Sequence, residues 1–150
     1  MVKTLDIELN ELQSVFDDVN DSYVVADYTQ PLREEVIPLL AAEHEEYFNQ
    51  EAGPLGAWKP LAPVTARRKG FDTILIEFNT MRSSLLFQGT KHIDDVTPRS
   101  LDWGTSDEKA AIHQHGTKII PERPFVGTQV KTLDAIETVI ADALVEILKK

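Results

Sequence analysis

The residues of this chain best suited to chemistry are His113 and His115, one residue apart, with His44 and His92 elsewhere and acids throughout. Imidazole and carboxylate together are zinc ligands, and a zinc-bound water is the nucleophile of many hydrolases. The spacing argues against that use. Zinc-binding histidines on one helix stand three to five residues apart, so that both point the same way. A separation of two suits a strand better than a helix. No HExxH order occurs, and a chain without cysteine has no CxxC. Nucleophilic chemistry is no better served: Ser83 and Ser84 lie in no GxSxG motif and have no recognisable partner base. Gly53 and Gly56 lack both a phosphate-loop motif and a preceding strand. Paired acids such as Asp94–Asp95 and Glu45–Glu46 read as solvated surface. His113 and Gln114 read best as hydrogen-bonding side chains, since each can both donate and accept.

The elements that must position them run from Glu108 to Gly127, EKAAIHQHGTKIIPERPFVG. A short helix through Lys109–Ile112 meets the polar His113–Gln114–His115 and stops at Gly116. Pro121 and Pro124 each remove a donor and fix φ, which bars Ile119 to Phe125 from a helix interior or a central strand. Ile120 and Arg123, each preceding a proline, are pushed towards extended backbone. The product is a stiff strap presenting Arg123 and Phe125, poor at building a core and good at reaching across to another surface. Arg123 is expected to pair with a carboxylate or to cap carbonyls. Phe125 is expected to anchor apolar surface, within the chain in preference to between subunits.

One domain with a real core fits 150 residues, of which 42% are apolar and 27% charged. No run approaches the ~18 apolar residues of a membrane span, and MVKTLDIELNELQ lacks the apolar core of a secretory signal. The absence of cysteine permits a cytosolic life. The net charge of −10 is uneven: residues 1 to 52 carry 13 acids and 2 bases, the other 98 residues 12 acids and 13 bases. The one basic run, Arg67-Arg68-Lys69, suits a helix C-terminus, and sequence-specific nucleic-acid binding is not expected. An acidic face would instead repel passing DNA.

In chain order, Leu5, Leu9, Leu12, Val15, Phe16 and Val19 form one stripe of an amphipathic helix, so residues 1–28 read as an N-terminal helix and linker and 29–150 as the core. A second helix starts near Thr29-Gln30-Pro31. Leu32, Val36, Leu39, Leu40 and Tyr47 face inward along it, Glu43, Glu45, Glu46 and Glu51 mostly face water, and Pro38 kinks it. GPLGAWKPLAP, from Gly53, is a long proline-rich loop pinned by Trp58. Thr65 looks like the N-cap of a basic helix that ends at Gly70. Strand-like pieces at Leu85–Gln88, Lys91–Asp94 and Val96–Trp103 suggest an antiparallel meander of about three strands. Val130, Leu133, Ile136, Ile140, Leu144, Ile147 and Leu148 make the last helix amphipathic, and it must pack. The fold class expected is α+β, a small antiparallel sheet of about three to four strands against two long amphipathic helices.

From residues 30 to 148 the chain resembles the phage virion morphogenesis family, the tail-completion or neck proteins of Mu-like tailed phages and prophages. The resemblance rests on Trp58, Pro60, Leu61 and Thr65, on Gly104-Thr105 and Ala110, on His113-Gln114-x-Gly116, and on Ile120-Pro121-x-Arg123-Pro124-Phe125-x-Gly127. The chain departs from the pattern at Asn79, Met81 and Lys109, where glycine, leucine and an aromatic are usual. The resemblance implies a structural subunit of the virion, assembled in the host cytoplasm, with no enzymatic activity and no cofactor. Its partners would be copies of itself, a hexameric ring by analogy of fold, and tail or head-completion proteins. No membrane is implied, and DNA would at most pass through a lumen. Trp58, Pro60, Leu61, His113, Gln114, Gly116, Pro121, Arg123, Pro124 and Phe125 would form its structural and interaction motif. Two alternatives stay open: a metal-dependent hydrolase using His113 and His115, and a monomeric assembly adaptor or chaperone.

Overall fold

A computed structural model describes residues 26–76, 79–86 and 89–149, with Asp17 and Asp21 besides. The amphipathic pattern from Leu5 to Val19, Asp17 apart, lies outside the described residues. The long helical run α1 takes in Thr29–Pro31, a π-helical turn at Leu32–Val36, and Ile37–Gln50. Pro38 explains the middle piece. It has no N–H for the carbonyl of Glu34, and its ring would press on that oxygen. Where the sequence suggested a kink, the backbone widens into a π turn, and the Ile37 N–H reaches back to the Leu32 carbonyl.

The inward face of α1 feeds two apolar clusters. Leu32 and Val36 join Ala26 and Tyr28 in one; Tyr47 and Phe48 join Trp58, Ile74, Met81, Leu85, Ala110 and Phe125 in the other. Glu43, expected in water, is buried, with 8% exposure. Its Oε1 accepts from the Gln129 N–H and from the Thr132 hydroxyl, each at 2.9 Å. These groups open the last helix, α5, Val130–Leu148, whose N-cap residue Gln129 supplies no side-chain cap of its own. The carboxylate of α1 therefore stands where the free donors and the positive end of the α5 dipole are concentrated.

The sheet is smaller than the sequence suggested. One antiparallel pair joins β1, Ala52–Gly53, to β2, Gly56–Ala57; a second joins β3, His92–Thr97, to β4, Ser100–Thr105. Leu85 and Leu86, expected in a strand, belong to α3, Thr80–Leu86, which buries Met81, Ser84, Leu85 and Leu86. The 81–85 spacing is helical, and packing against α1 and the hairpin settled what local β-propensity left open. The expected strand Val96–Trp103 is instead split by a turn. Thr97 pairs with Ser100, leaving Pro98 and Arg99 as the corner, because proline cannot donate to a ladder and its φ suits the first corner of a turn. The carbonyl of Pro98 then accepts from the Tyr28 N–H at 2.8 Å, tying the hairpin to the start of α1.

Two further short helices lie among the described residues. α2, Pro63–Lys69, begins at Pro63 with Ala62 as N-cap and not at Thr65, since a proline at the first helical position loses no hydrogen bond. α4 is Glu108–His115, capped by the Asp107 side chain, which accepts from the Lys109 N–H. Asn79 takes φ 56, a left-handed backbone that asparagine tolerates. The expectation that α5 packs along its whole stripe is corrected in part. Ile136, Val139, Ile140, Ala143 and Ile147 lie against the Leu32–Val36 cluster, while Val130, Leu133 and Leu148 are 72%, 47% and 48% exposed. At 3.6 residues per turn, Val130 and Leu148 sit roughly 120° round the helix from Ile136, beyond one contact face.

Removing the shared carboxylate tests this arrangement. Glu43→Ala is expected to lower the unfolding free energy by about 2 kcal/mol, the usual cost of stranding buried donors. Glu45→Ala and Glu46→Ala, on the exposed side, should stay within about 0.5 kcal/mol; urea titration of the three variants provides the comparison.

Candidate functional site

The strap from Thr117 to Gly127 is neither helix nor strand, so its backbone groups need partners from elsewhere. α4 begins the supply. The carbonyl of His113, in the last turn of α4, accepts from the Arg123 N–H at 2.7 Å. Gln114 does most: its Oε1 accepts from the N–H groups of Phe125 and Val126, each at 3.0 Å, and its Nε2 donates to the Val126 carbonyl at 2.9 Å. Between them Gly116 has φ 67, and a Cβ there would lie 2.7 Å from the Glu122 nitrogen. The turn is closed to any other residue on both counts.

The proline-rich loop meets the strap from the other side. Trp58, 5% exposed, donates its indole N–H to the Pro124 carbonyl at 2.8 Å. Gly53 comes so close that a Cβ would overlap the Pro124 oxygen, at 1.8 Å. Arg123, 4% exposed, donates from Nε to the Lys59 carbonyl at 2.7 Å and from Nη2 to the Pro60 carbonyl at 3.0 Å. It makes no ion pair among the described residues. Burial draws its pKa down from the usual arginine value, and two carbonyl dipoles stand in for the absent carboxylate. Phe125 is fully buried, against Phe48 with ring centroids 5.9 Å apart. The expectation that the strap is poor at building a core is therefore overturned. Two prolines lower its count of donors, which is what lets irregular backbone enter the interior.

α1 receives the strap's end. Gly127 donates its N–H to His44 Nε2 at 3.3 Å and its carbonyl accepts from the Tyr47 hydroxyl at 3.2 Å. His44 Nδ1 lies 2.7 Å from the Leu40 carbonyl, so Nδ1 carries the proton and Nε2 is the acceptor. A protonated ring would turn a second N–H against that of Gly127. Burial accordingly holds the pKa of His44 below the ordinary 6.5.

The structure thus gathers Trp58, Pro60, Leu61, His113, Gln114, Gly116, Pro121, Arg123, Pro124 and Phe125 around one seam. Leu61 packs partly buried against the Phe125 cluster, Pro60 is exposed and Pro121 half-buried. His115 is exposed and apart. His113 is half-buried, and its pKa too is lowered, by burial and then by the neighbouring charges of Arg123 and Lys109. No three His, Asp or Glu residues converge as metal ligands among the described residues. Sequence reasoning missed Glu43, His44 and Gly53. The first two were legible, since Leu40, His44 and Tyr47 repeat at helical spacing on the buried face of α1. Gly53 gave no local sign, because its constraint comes from a residue 71 positions away.

Fold and seam define a small α+β protein in which Gln114, Trp58, Arg123, His44 and Tyr47 hold irregular backbone in place, whereas the His113 side chain, expected to share that task, leaves its buried Nδ1 without a partner among the described residues. Residues 7–145 match the sequence model of the phage virion morphogenesis family, and the chain belongs to that family. It is therefore a phage protein of virion assembly, a structural role. The match takes in the N-terminal segment as well as the core. No curated protein and no solved structure matches the chain. No helix among the described residues is long and apolar enough to cross a membrane.

The neutral histidines set a pH window. With the folded pKa of His44 and His113 below the unfolded value near 6.5, the unfolded state takes up protons first as pH falls. Stability is expected to hold above that value and to decline from there downward. The depressed Asp27 pKa, set by its hydrogen bonds to Thr29, acts separately, below 3.8. Melting curves from pH 8 to 5 should show the decline, and His44→Gln with His113→Gln should flatten it.

Proposed function

We propose that this chain is a tail-completion or head–tail joining subunit that works as a ring of identical copies, in contact with tail or head-completion proteins. The observation that carries the reading is how the motif residues are spent. Gln114, Arg123, Trp58, Gly116 and Phe125 all serve to lock the strap onto the body. A strap held this firmly presents fixed surfaces, and a surface that does not reorder loses little entropy on binding. Apolar side chains stand on those surfaces: Ile119 on the strap is 90% exposed, Leu55 at the β1–β2 corner 84%, and Val130 at the start of α5 72%. They lie on separate elements, which favours head-to-tail contacts that close into a ring over a single self-complementary patch. DNA would be contacted, if at all, as it passes through the lumen, without reading of sequence.

Light scattering on the purified chain over a range of concentrations, with negative-stain imaging, tests the reading. The expected result is a species of one fixed stoichiometry that images as a ring. A monomer at every concentration would overturn it.

A further inference from the structure

Between the strap, α2, the turn at residues 74–76 and α4 lies a groove of about 560 Å³. Leu61, Leu75, Ile76 and Ile120 contribute apolar surface, and Ile119 stands at its edge, 90% exposed. Lys59, Arg68 and Lys109 line it too, are exposed, and make no ion pair among the described residues. No described carboxylate lines it. In a chain of net charge −10, an apolar groove whose described charged lining residues are cationic is shaped for an acidic amphipathic segment.

The chain carries one. Residues 1–25 hold six acids and one base. Leu5, Leu9, Leu12, Phe16 and Val19 repeat at helical spacing, and on a helix Asp6, Glu8 and Asp17 fall roughly 60° to 120° from the centre of that stripe, flanking it on both sides. We infer that the groove binds residues 1–25 of a neighbouring copy. The segment joins the described fold at Ala26, in the apolar cluster with Leu32 and α5, and no residue of that cluster lines the groove. A neighbour's segment seated in this groove makes a head-to-tail contact. The inference rests on the ring reading and supplies its contact. A nucleic-acid backbone is the weaker occupant, since it has no use for the apolar floor and meets a net negative protein.

The test uses two full-length variants. One reverses the groove, Lys59→Glu, Arg68→Glu and Lys109→Glu, at exposed positions that leave the fold intact. The other reverses the segment, Asp6→Lys, Glu8→Lys and Asp17→Lys. Each alone is expected to weaken self-association about 100-fold in light scattering, with circular dichroism unchanged. Mixed in equal amounts, they should assemble again, because each supplies what the other lacks. If the wild type assembles and the groove-reversed variant assembles equally well, the groove inference falls and the ring reading stands. If the two variants fail to assemble on mixing, docking between copies falls. A wild type that stays monomeric removes both.

Discussion

The structure depends on one constraint: the end of a segment that is neither helix nor strand, from Arg123 to Gly127, enters the interior, and each of its buried polar groups has to find a partner there. The partners come from three directions. Gln114 serves Phe125 and Val126 from α4, Trp58 serves Pro124 from the proline-rich loop, and His44 and Tyr47 serve Gly127 from α1. Because an unpaired buried amide costs more than a made bond returns, these side chains are less interchangeable than their neighbours. Their positions in turn fix where α4, the loop and α1 sit with respect to each other. The second cluster, under α5, hangs from the same helix α1 through Glu43.

This accounts in physical terms for the residue types at these positions. Glutamine suits a site that must accept from two successive amides and donate to one carbonyl: an ionised glutamate has no donor, and a neutral imidazole has a single acceptor lone pair. Arginine suits a site where two carbonyls converge, since its planar fork meets both with a delocalised charge that tolerates burial. Glycine at 116 is set by a backbone angle and by the approach of Glu122 together.

Much of this was legible in the sequence and some was not. Helices α1 and α5 follow from apolar periodicity, and Pro121 and Pro124 kept the strap out of regular structure. The strap's destination is not legible in its prolines: proline content tells what a segment cannot form, not what will surround it. Glu43 reads as solvated by its charge, yet its position lies on the inward stripe of α1, and position decides its burial. The extra strands dissolved because Leu85 and Leu86 suit helix and strand alike, and only contact with α1 and the hairpin decides. The groove is drawn from residues 59 to 123, a juxtaposition that local pattern does not carry.

Hydrogen exchange at the amides of Phe125 and Val126 tests the central claim most directly. If the strap is core, both amides exchange as slowly as those in the middle of α1, at rates set by global unfolding. Exchange at the rate of an open loop would show that the strap is an arm laid on the surface, and would contradict the account.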